Sequence, residues 1–430
     1  MAEPIRIGVV GMGTVGSGVV RVLEQSASHI ERQAGRPIVV EHAVVRDLGK
    51  SRSVAVAPER LGTDVVAVSD NPAISVAAML VGGLEPARTM TIDLLRKGKD
   101  VVTANKALLA EHGPELFEVA REAGRSIAFE AAVAGGIPIV AAIAECLAAN
   151  RIESIRGILN GTSNFILTRM EEDGSNYADV LAIAQAEGYA EADPTMDVDG
   201  TDATQKLALL AHLAFGVWVP WKQIPRVGLE TIDQELLKFA DELGYRVRVV
   251  ADASRADVTL AMRVGPTLVR KGTPLAETRG AFNAVSVVGD AVGPMFFHGL
   301  GAGEMPTASA VVADIIDTVV GRAAITFRTT GVLAAENPAP VSGGGSSPYL
   351  LRLQVTDQPG VLAELTGVLG REGISIASVI QHQPAGGSAT VPLVIMTHSC
   401  GAAAIERAVT AVDRQASVQA TTTCLPVLDD

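Results

Sequence analysis

Gly8-Val9-Val10-Gly11-Met12-Gly13-Thr14-Val15-Gly16 decides the fold of the first third of this chain. A short β-branched run over 5–10 ends at glycines, and Val15, Val19, Val22 and Leu23 then recur at helical spacing. The stretch is strand, tight turn, helix, with G-x-G-x-x-G at Gly11, Gly13 and Gly16. Gly11 allows the turn, Gly13 lets backbone approach a pyrophosphate, and Gly16 permits close packing of helix on sheet. The anion then rests on the helix N-terminus, beside Thr14 and Val15.

Strand and helix patterns keep alternating outward from this turn. Strands are expected over 38–45, 74–81, 100–103 and 126–130, with helices over 85–97 and 107–123 between them. Such alternation gives a mostly parallel sheet covered on both faces. The second strand ends at Arg46, followed by Asp47 and Lys50. A guanidinium there pairs with a 2′-phosphate, which favours NADP; Asp47 turned inward to a ribose would favour NAD.

Beyond Gly135-Gly136 the pattern changes to a mixed α/β domain. A helix is expected over 138–149, a strand near 153–160, helices from 164 and over 200–214, and strands at 246–250, 257–263 and 284–288. Residues 306–320 carry an apolar helical stripe that should return to the first domain, making it discontinuous. Prolines and Val341-Ser342-Gly343-Gly344-Gly345-Ser346-Ser347 mark 332–348 as a flexible linker.

At 430 residues the chain exceeds one ordinary core and implies two or three domains. Aromatics are only 3%, which argues against a base-stacking platform, and a formal charge of −13 repels phosphate backbones. Nucleic acid is therefore excluded as a partner, while a local basic pocket still suits one phosphorylated cofactor. Cys146, Cys400 and Cys424 lack C-x-x-C spacing and build neither a disulfide framework nor a zinc knuckle. The charged start carries no secretory signal, and Gly135, Gly136, Pro138 and Glu145 interrupt the most apolar stretch, 131–149. A cytoplasmic protein without a membrane span is expected.

Two lysines have a context that suggests chemistry. Lys106 follows the strand 100–103 at its C-terminal end, where ligands sit in a doubly wound sheet. Asp202 and Lys206 are i,i+4 on one helix face, with Asp199 near the helix start; a solvated salt-bridged helix is the plain alternative. Glu191, Asp197 and Asp202 would form an acidic pocket for a cationic amine. The lysines would serve the oxygen at the carbon where hydride arrives or leaves. The loop from Phe129 to Pro138, with Glu130, is either a cation-binding loop or a hinge.

Together GVVGMGTVG (8–16), VVTANKALLA (101–110), FEAAVAGGIPI (129–139), LNGTSNFIL (159–167), GYAEADPTMDVDGTDATQKL (188–207) and GAGEMPTASAVVAD (301–314) resemble homoserine dehydrogenases over essentially the whole chain. The resemblance implies NAD(P)-dependent interconversion of L-aspartate 4-semialdehyde and L-homoserine, on the route to threonine and methionine. It implies a Rossmann-type dinucleotide domain from 1–136 and 303–331, and a mixed α/β substrate-binding and dimerisation domain over 137–302. Lys106, Lys206 and Asp202 resemble the catalytic set; Glu191, Asp197 and Lys206 would hold the substrate, and Lys106, Gly303 and Glu304 would add cofactor contacts. Glu130, Val133, Gly135 and Ile137 resemble a sodium site of structural role. Met79 stands where many relatives place glutamate.

The last 82 residues pattern as β-α-β-β-α-β, from Leu351-Arg352-Leu353-Gln354-Val355 through a helix at 361–371, strands at 373–380 and 391–397, and a helix over 402–415. DQPGVLAELTGVLGREGISI resembles the ferredoxin-like ACT domain, which implies a regulatory module over 349–430. It further implies threonine as effector near Asp357 and Gly360, in a homodimer or homotetramer.

Overall fold

The computed structural model describes residues 3–256, 259–329, 341–382 and 390–429. They form two compact units: 1–155, 204–223 and 283–339 in the first, and 156–203, 224–282 and 340–430 in the second.

The first unit is built on six parallel strands: β1 (Ile5–Val10), β2 (Ile38–Val44), β3 (Leu61–Gly62), β4 (Ile74–Met79), β5 (Asp100–Thr103) and β6 (Ile127–Ala128). Their order, β3-β2-β1-β4-β5-β6, is that of a doubly wound nucleotide-binding sheet, as the alternating pattern predicts. Helix α1 (Thr14–Gln25) follows β1, and α2 (Lys106–Glu122) follows β5. Helix α3 (Thr201–Phe215) begins in the second unit and continues into the first. Helix α4 (Glu304–Val319) buries Ala308, Val311 and Ile315 in one core with Ile7, Val9 and Val19. Gly18 makes this approach possible, because a Cβ there would lie 2.9 Å from that of Ala308.

Two expected elements are shorter than their patterns. The strand expected over 126–130 stops at Ala128, because the Glu130 N–H donates to Asp314 Oδ2 at 2.9 Å instead of to a neighbouring strand. The helix expected over 138–149 is one α-turn, Ile139–Ala141, and then a π-turn, Ala142–Cys146, in which Leu147 N–H reaches the Ala142 carbonyl at 2.8 Å. The strand Gly293–Leu300 was hidden by its opening Gly-Pro; it alternates in exposure and pairs with Phe282–Gly289.

Helices α2 and α3 meet through an aromatic cluster in the first unit. His212 stacks on Phe117 at 6.3 Å between centroids and meets Trp218 edge-on at 5.0 Å.

The second unit contains helices Gly161–Asp173, Tyr177–Ala186 and Gln234–Glu242, and the antiparallel hairpin β7 (Tyr245–Ala256) and β8 (Thr259–Arg270). The strand expected from residue 257 starts on residues outside the described set. The C-terminal module adds β9 (Tyr349–Thr356), β10 (Ile376–Gln381), β11 (Thr390–Thr397) and β12 (Thr423–Leu428), in the order β12-β9-β11-β10. Helices Val361–Arg371 and Ala402–Val412 cover one face and bury Leu365, Leu369 and Ile405 against Leu353 and Ile395. This is the expected βαββαβ fold. Its last strand also pairs parallel with β8, Val427 opposite Leu268, so the module continues the hairpin's sheet.

Of the expected linker, 332–340 lies outside the described residues. The rest is not a loose tether: Val341-Ser342 pairs with Leu260-Ala261, and Ser346-Ser347 pairs with Cys400-Gly401. Glycine and serine leave the backbone bare enough to add to sheet edges, which composition alone does not reveal.

Burial pushes the His212 imidazole down to about 4, the Val217 backbone opposing the shift. The folded state thus binds fewer protons than the unfolded chain between roughly pH 4 and the ordinary histidine pKa of about 6.5. Stability held above that window is lost as pH falls through it. H212F should keep the stack on Phe117 and lose less stability between pH 6.5 and 4.5 than the wild type; parallel losses in urea midpoint would contradict this.

Candidate active site

In the first unit the sequence fingerprint forms a cradle. Gly11 has φ +104°, and a Cβ on it would lie 2.9 Å from the Leu80 carbonyl carbon. A Cβ on Gly16 would strike the Gly11 carbonyl oxygen at 2.1 Å. Gly13 differs, since a Cβ there meets nothing within 4 Å; its bareness serves no packing and leaves room for a ligand at the uncapped start of α1. Thr14 and Val15 form the first turn of that helix.

This cradle opens into a cavity of about 730 Å³, lined in part by Gly11, Gly13, Arg46, Lys50, Arg52 and Gly82. Three cationic side chains therefore line the cavity, of which the sequence singled out Arg46 and Lys50 and missed Arg52. Arg52 is held by the carbonyls of Lys50, at 2.7 Å, and Asp47. The Asp47 carboxylate accepts from Gly49 N–H at 2.8 Å, so it closes its own loop.

Lys106 is the first residue of α2, half-buried, beyond the end of β5. Asn105 sets that helix start. Its Oδ1 accepts from Leu108 N–H at 3.0 Å, and its Nδ2 donates to the carbonyls of Val81, at 3.0 Å, and Gly83, at 2.7 Å. The loop those carbonyls belong to lines the cavity, so one side chain fixes both the cavity wall and the lysine's helix. Met79 is fully buried at the end of β4, where its carbonyl accepts from Thr103 Oγ1 at 2.9 Å.

In the second unit the acidic segment closes on the start of helix Gly161–Asp173. Asn160 Nδ2 donates to Asp197 Oδ1 at 2.7 Å and to Asp202 Oδ2 at 2.9 Å, while its Oδ1 caps the helix through Ser163 N–H at 2.8 Å. Ser163 Oγ donates to the Asp197 carbonyl at 2.7 Å, and Thr162 Oγ1 to that of Tyr189 at 2.6 Å. Asp199 holds the start of α3 through Thr201 N–H at 2.8 Å. The structure thus brings Asp197 and Asp202 together; Glu191 is exposed and hydrogen-bonds to neither among the described residues. Lys206 is buried, one helical turn beyond Asp202 on α3. Asn160 was missed as a functional candidate; asparagine before a Gly-Thr-Ser helix start was the available signal.

The loop after β6 lies in the first unit. Glu130 is buried, its carboxylate accepting from the N–H groups of Val140 at 2.9 Å and Ala141 at 2.8 Å. Burial outweighs those bonds and pushes it up to about 7. Asp314 is pushed well above the usual carboxylate range, first by burial and then by Glu130. Gly135 N–H donates to the Gly301 carbonyl at 3.0 Å, and Ile137 N–H to that of Ala134 at 2.6 Å. Among the described residues the Val133 and Gly135 carbonyls accept no hydrogen bond. Gly303 precedes α4, and Glu304 pairs with Arg21 at 2.6 Å; neither lines the dinucleotide cavity. In the C-terminal module Gly360 has φ +96° and starts helix Val361–Arg371, three residues after Asp357.

The chain matches three family models: "Homoserine dehydrogenase, NAD binding domain" over 11–130, "Homoserine dehydrogenase" over 138–316, and "ACT domain" over 349–416. A homoserine dehydrogenase of Pseudomonas aeruginosa is 42% identical, with 92% of each chain covered. Among solved structures, a homoserine dehydrogenase from Thiobacillus denitrificans is 40% identical with a TM-score of 0.93, covering 99% of both chains. A hyperthermophilic archaeal homoserine dehydrogenase "in complex with NADPH" is 26% identical with a TM-score of 0.62, covering 74% of this chain and 98% of its own.

Removing the amide that joins Asp197 and Asp202 leaves two carboxylates facing each other and a helix uncapped. N160A should lower stability by about 1–3 kcal/mol, read as a shift in urea midpoint. A midpoint equal to that of the wild type would show that the bridge contributes nothing.

Proposed function

The chain belongs to the homoserine dehydrogenase family, and from that premise we propose how its own residues carry the interconversion of L-homoserine and L-aspartate 4-semialdehyde. The observation that carries the reading is helix α3: Asp202, fixed by Asn160, precedes Lys206 by one turn, about 6 Å of rise. An acid for a substrate ammonium and a base for its oxygen are thereby set by one rigid element.

When bound, a nicotinamide would supply the hydride chemistry between aldehyde and alcohol. Lys206 serves the oxygen at that carbon. In reduction its ammonium stabilises the forming alkoxide and gives up a proton; in oxidation its neutral amine removes the alcohol proton. Lys106 is the second cationic group for that oxygen and for the cofactor. Asp202 supports Lys206 and, with Asp197 and Glu191, recognises the amino group.

The cofactor is NADP in preference to NAD. Arg46, Lys50 and Arg52 all line the cavity, and Asp47 uses its carboxylate on Gly49 N–H instead of offering it to a ribose. The archaeal relative's NADPH complex supports the same preference. Gly11, Gly13, Thr14, Val15 and Gly16 take the pyrophosphate, with Gly303 and Glu304 as outer contacts.

The loop of Glu130, Val133, Gly135 and Ile137 suits a structural sodium ion. Two of its carbonyls carry no hydrogen bond, and oxygen ligands fit a hard monovalent cation; the Glu130 carboxylate already holds two N–H groups. Residues 1–136 with 303–331 form the dinucleotide domain, 137–302 the substrate and dimerisation domain, and 349–430 the regulatory module. That module takes threonine near Asp357 and Gly360, in a cytoplasmic homodimer or homotetramer.

K206A should bind NADP with near wild-type affinity and lose homoserine-dependent NADPH formation, about 100-fold or more in kcat; retained turnover in a folded variant would overturn the role of Lys206. R46A should weaken NADP binding more than NAD binding, as measured by calorimetric titration with each; equal losses would remove the phosphate assignment.

A further inference from the structure

Helix α2 is weak at its centre. Gly113 and Pro114 are adjacent there, and Pro114 has no N–H to give the Ala110 carbonyl. In an isolated helix these residues cost about 1 and 3 kcal/mol relative to alanine. Lys106 sits on the N-terminal side of this point, so the helix's own hydrogen bonds tie it only loosely to the C-terminal half.

Helix α3 and the segment following it grip α2 on both sides of the weak point. Before it, both carboxylate oxygens of Glu111 are engaged: Oε2 accepts from Trp221 Nε1 at 2.8 Å and Oε1 from Lys222 Nζ at 2.7 Å. At it, the Trp218 ring lies on the Gly113 backbone, where a Cβ would stand 2.6 Å from Cη2. After it, Phe117 stacks on His212 of α3. Gly113 thus has a reason: no other residue lets the indole lie there. Every partner on the gripping side comes from α3 or the seven residues after it, the same stretch of chain that carries Lys206.

We propose that Glu111 and Trp218 are positioning residues, which hold the Lys106-bearing turn of α2 against the Lys206-bearing helix and so fix the spacing of the two lysines. The inference rests on the reading of both lysines as reactive groups. Its physical basis is that a displacement of about 1 Å in a reacting group costs up to about 100-fold in rate, while binding surfaces elsewhere are untouched.

The test uses the full-length enzyme oxidising homoserine with NADP. E111A and W218A should lose about 10- to 100-fold in kcat, with homoserine KM and the NADP dissociation constant within about threefold of wild type. E111Q keeps an acceptor for Trp221 Nε1 and should recover most of the loss. In a K106A background, E111A should change kcat by less than about threefold, because the group it positions is already gone. The Glu111 side chain is 27% exposed, so E111A keeps the test available where W218A fails to fold. Wild-type kcat in E111A, or losses that multiply in full with K106A, overturns the clamp while leaving the lysine reading intact. Wild-type turnover in K106A itself overturns both.

Discussion

Two carboxylates that share one amide hydrogen-bond donor are the constraint around which the acidic segment of this protein is arranged. Asp197 and Asp202 both accept from Asn160 Nδ2, which places their oxygens closer than twice a hydrogen-bond length. At such a distance, with an effective dielectric near 20, like charges repel by roughly 3 kcal/mol. The Asn160 amide, giving one N–H to each carboxylate, offsets part of that repulsion. The same Asn160 caps the helix Gly161–Asp173, so the acid pair cannot shift without uncapping it. The placing of the acid pair and the capping of that helix are thereby one interaction.

The dinucleotide side obeys a different logic, in which side chains are withheld. Gly11 and Gly16 are required by the protein's own backbone, whereas Gly13 is required by nothing in the protein. What sets Gly13 apart is its place at the start of α1, bordering the dinucleotide cavity. The loop after β2 shows the converse economy: Asp47 and Arg52 bond to that loop's own backbone, which shapes the cavity wall they line with Arg46 and Lys50.

Elements with strong local signals were legible in the sequence. The order of strands and helices in the first sheet followed from alternation, and the βαββαβ module from its turns and stripes. What escaped was decided by single long-range bonds. β6 ends early because the Glu130 N–H is taken by Asp314, 184 residues away in sequence. The glycine-rich run before β9 is paired because sheet edges happened to be open to it. The site divides the same way: glycines, lysines and aspartates announce themselves by type and spacing. Asn160 and Arg52 do not, because an amide and a guanidinium are ordinary until their partners are known, and Glu191 carried the right type without joining the acid pair.

The C-terminal strand gives the regulatory module its mechanical standing. β12 pairs with β9 of its own module and with β8 of the preceding hairpin, so the two sheets are continuous through backbone hydrogen bonds. Further along β8, Val264 exchanges backbone bonds with Pro225 and Val227, each at 2.9 Å. Gly228 lies so close to the acidic segment that a Cβ would stand 2.7 Å from the Val198 carbonyl oxygen, beside Asp197. Continuity alone is not coupling. For an amino acid bound to the module to change turnover, it must bind two arrangements of this sheet unequally, and the affinity ratio sets the size of the effect. The backbone pairing narrows what those arrangements can be, because parting β12 from β8 exposes unpaired N–H and C=O groups. Sliding by one residue would turn every β12 side chain to the opposite face. Arrangements that preserve the pairing are the ones that leave those backbone groups satisfied.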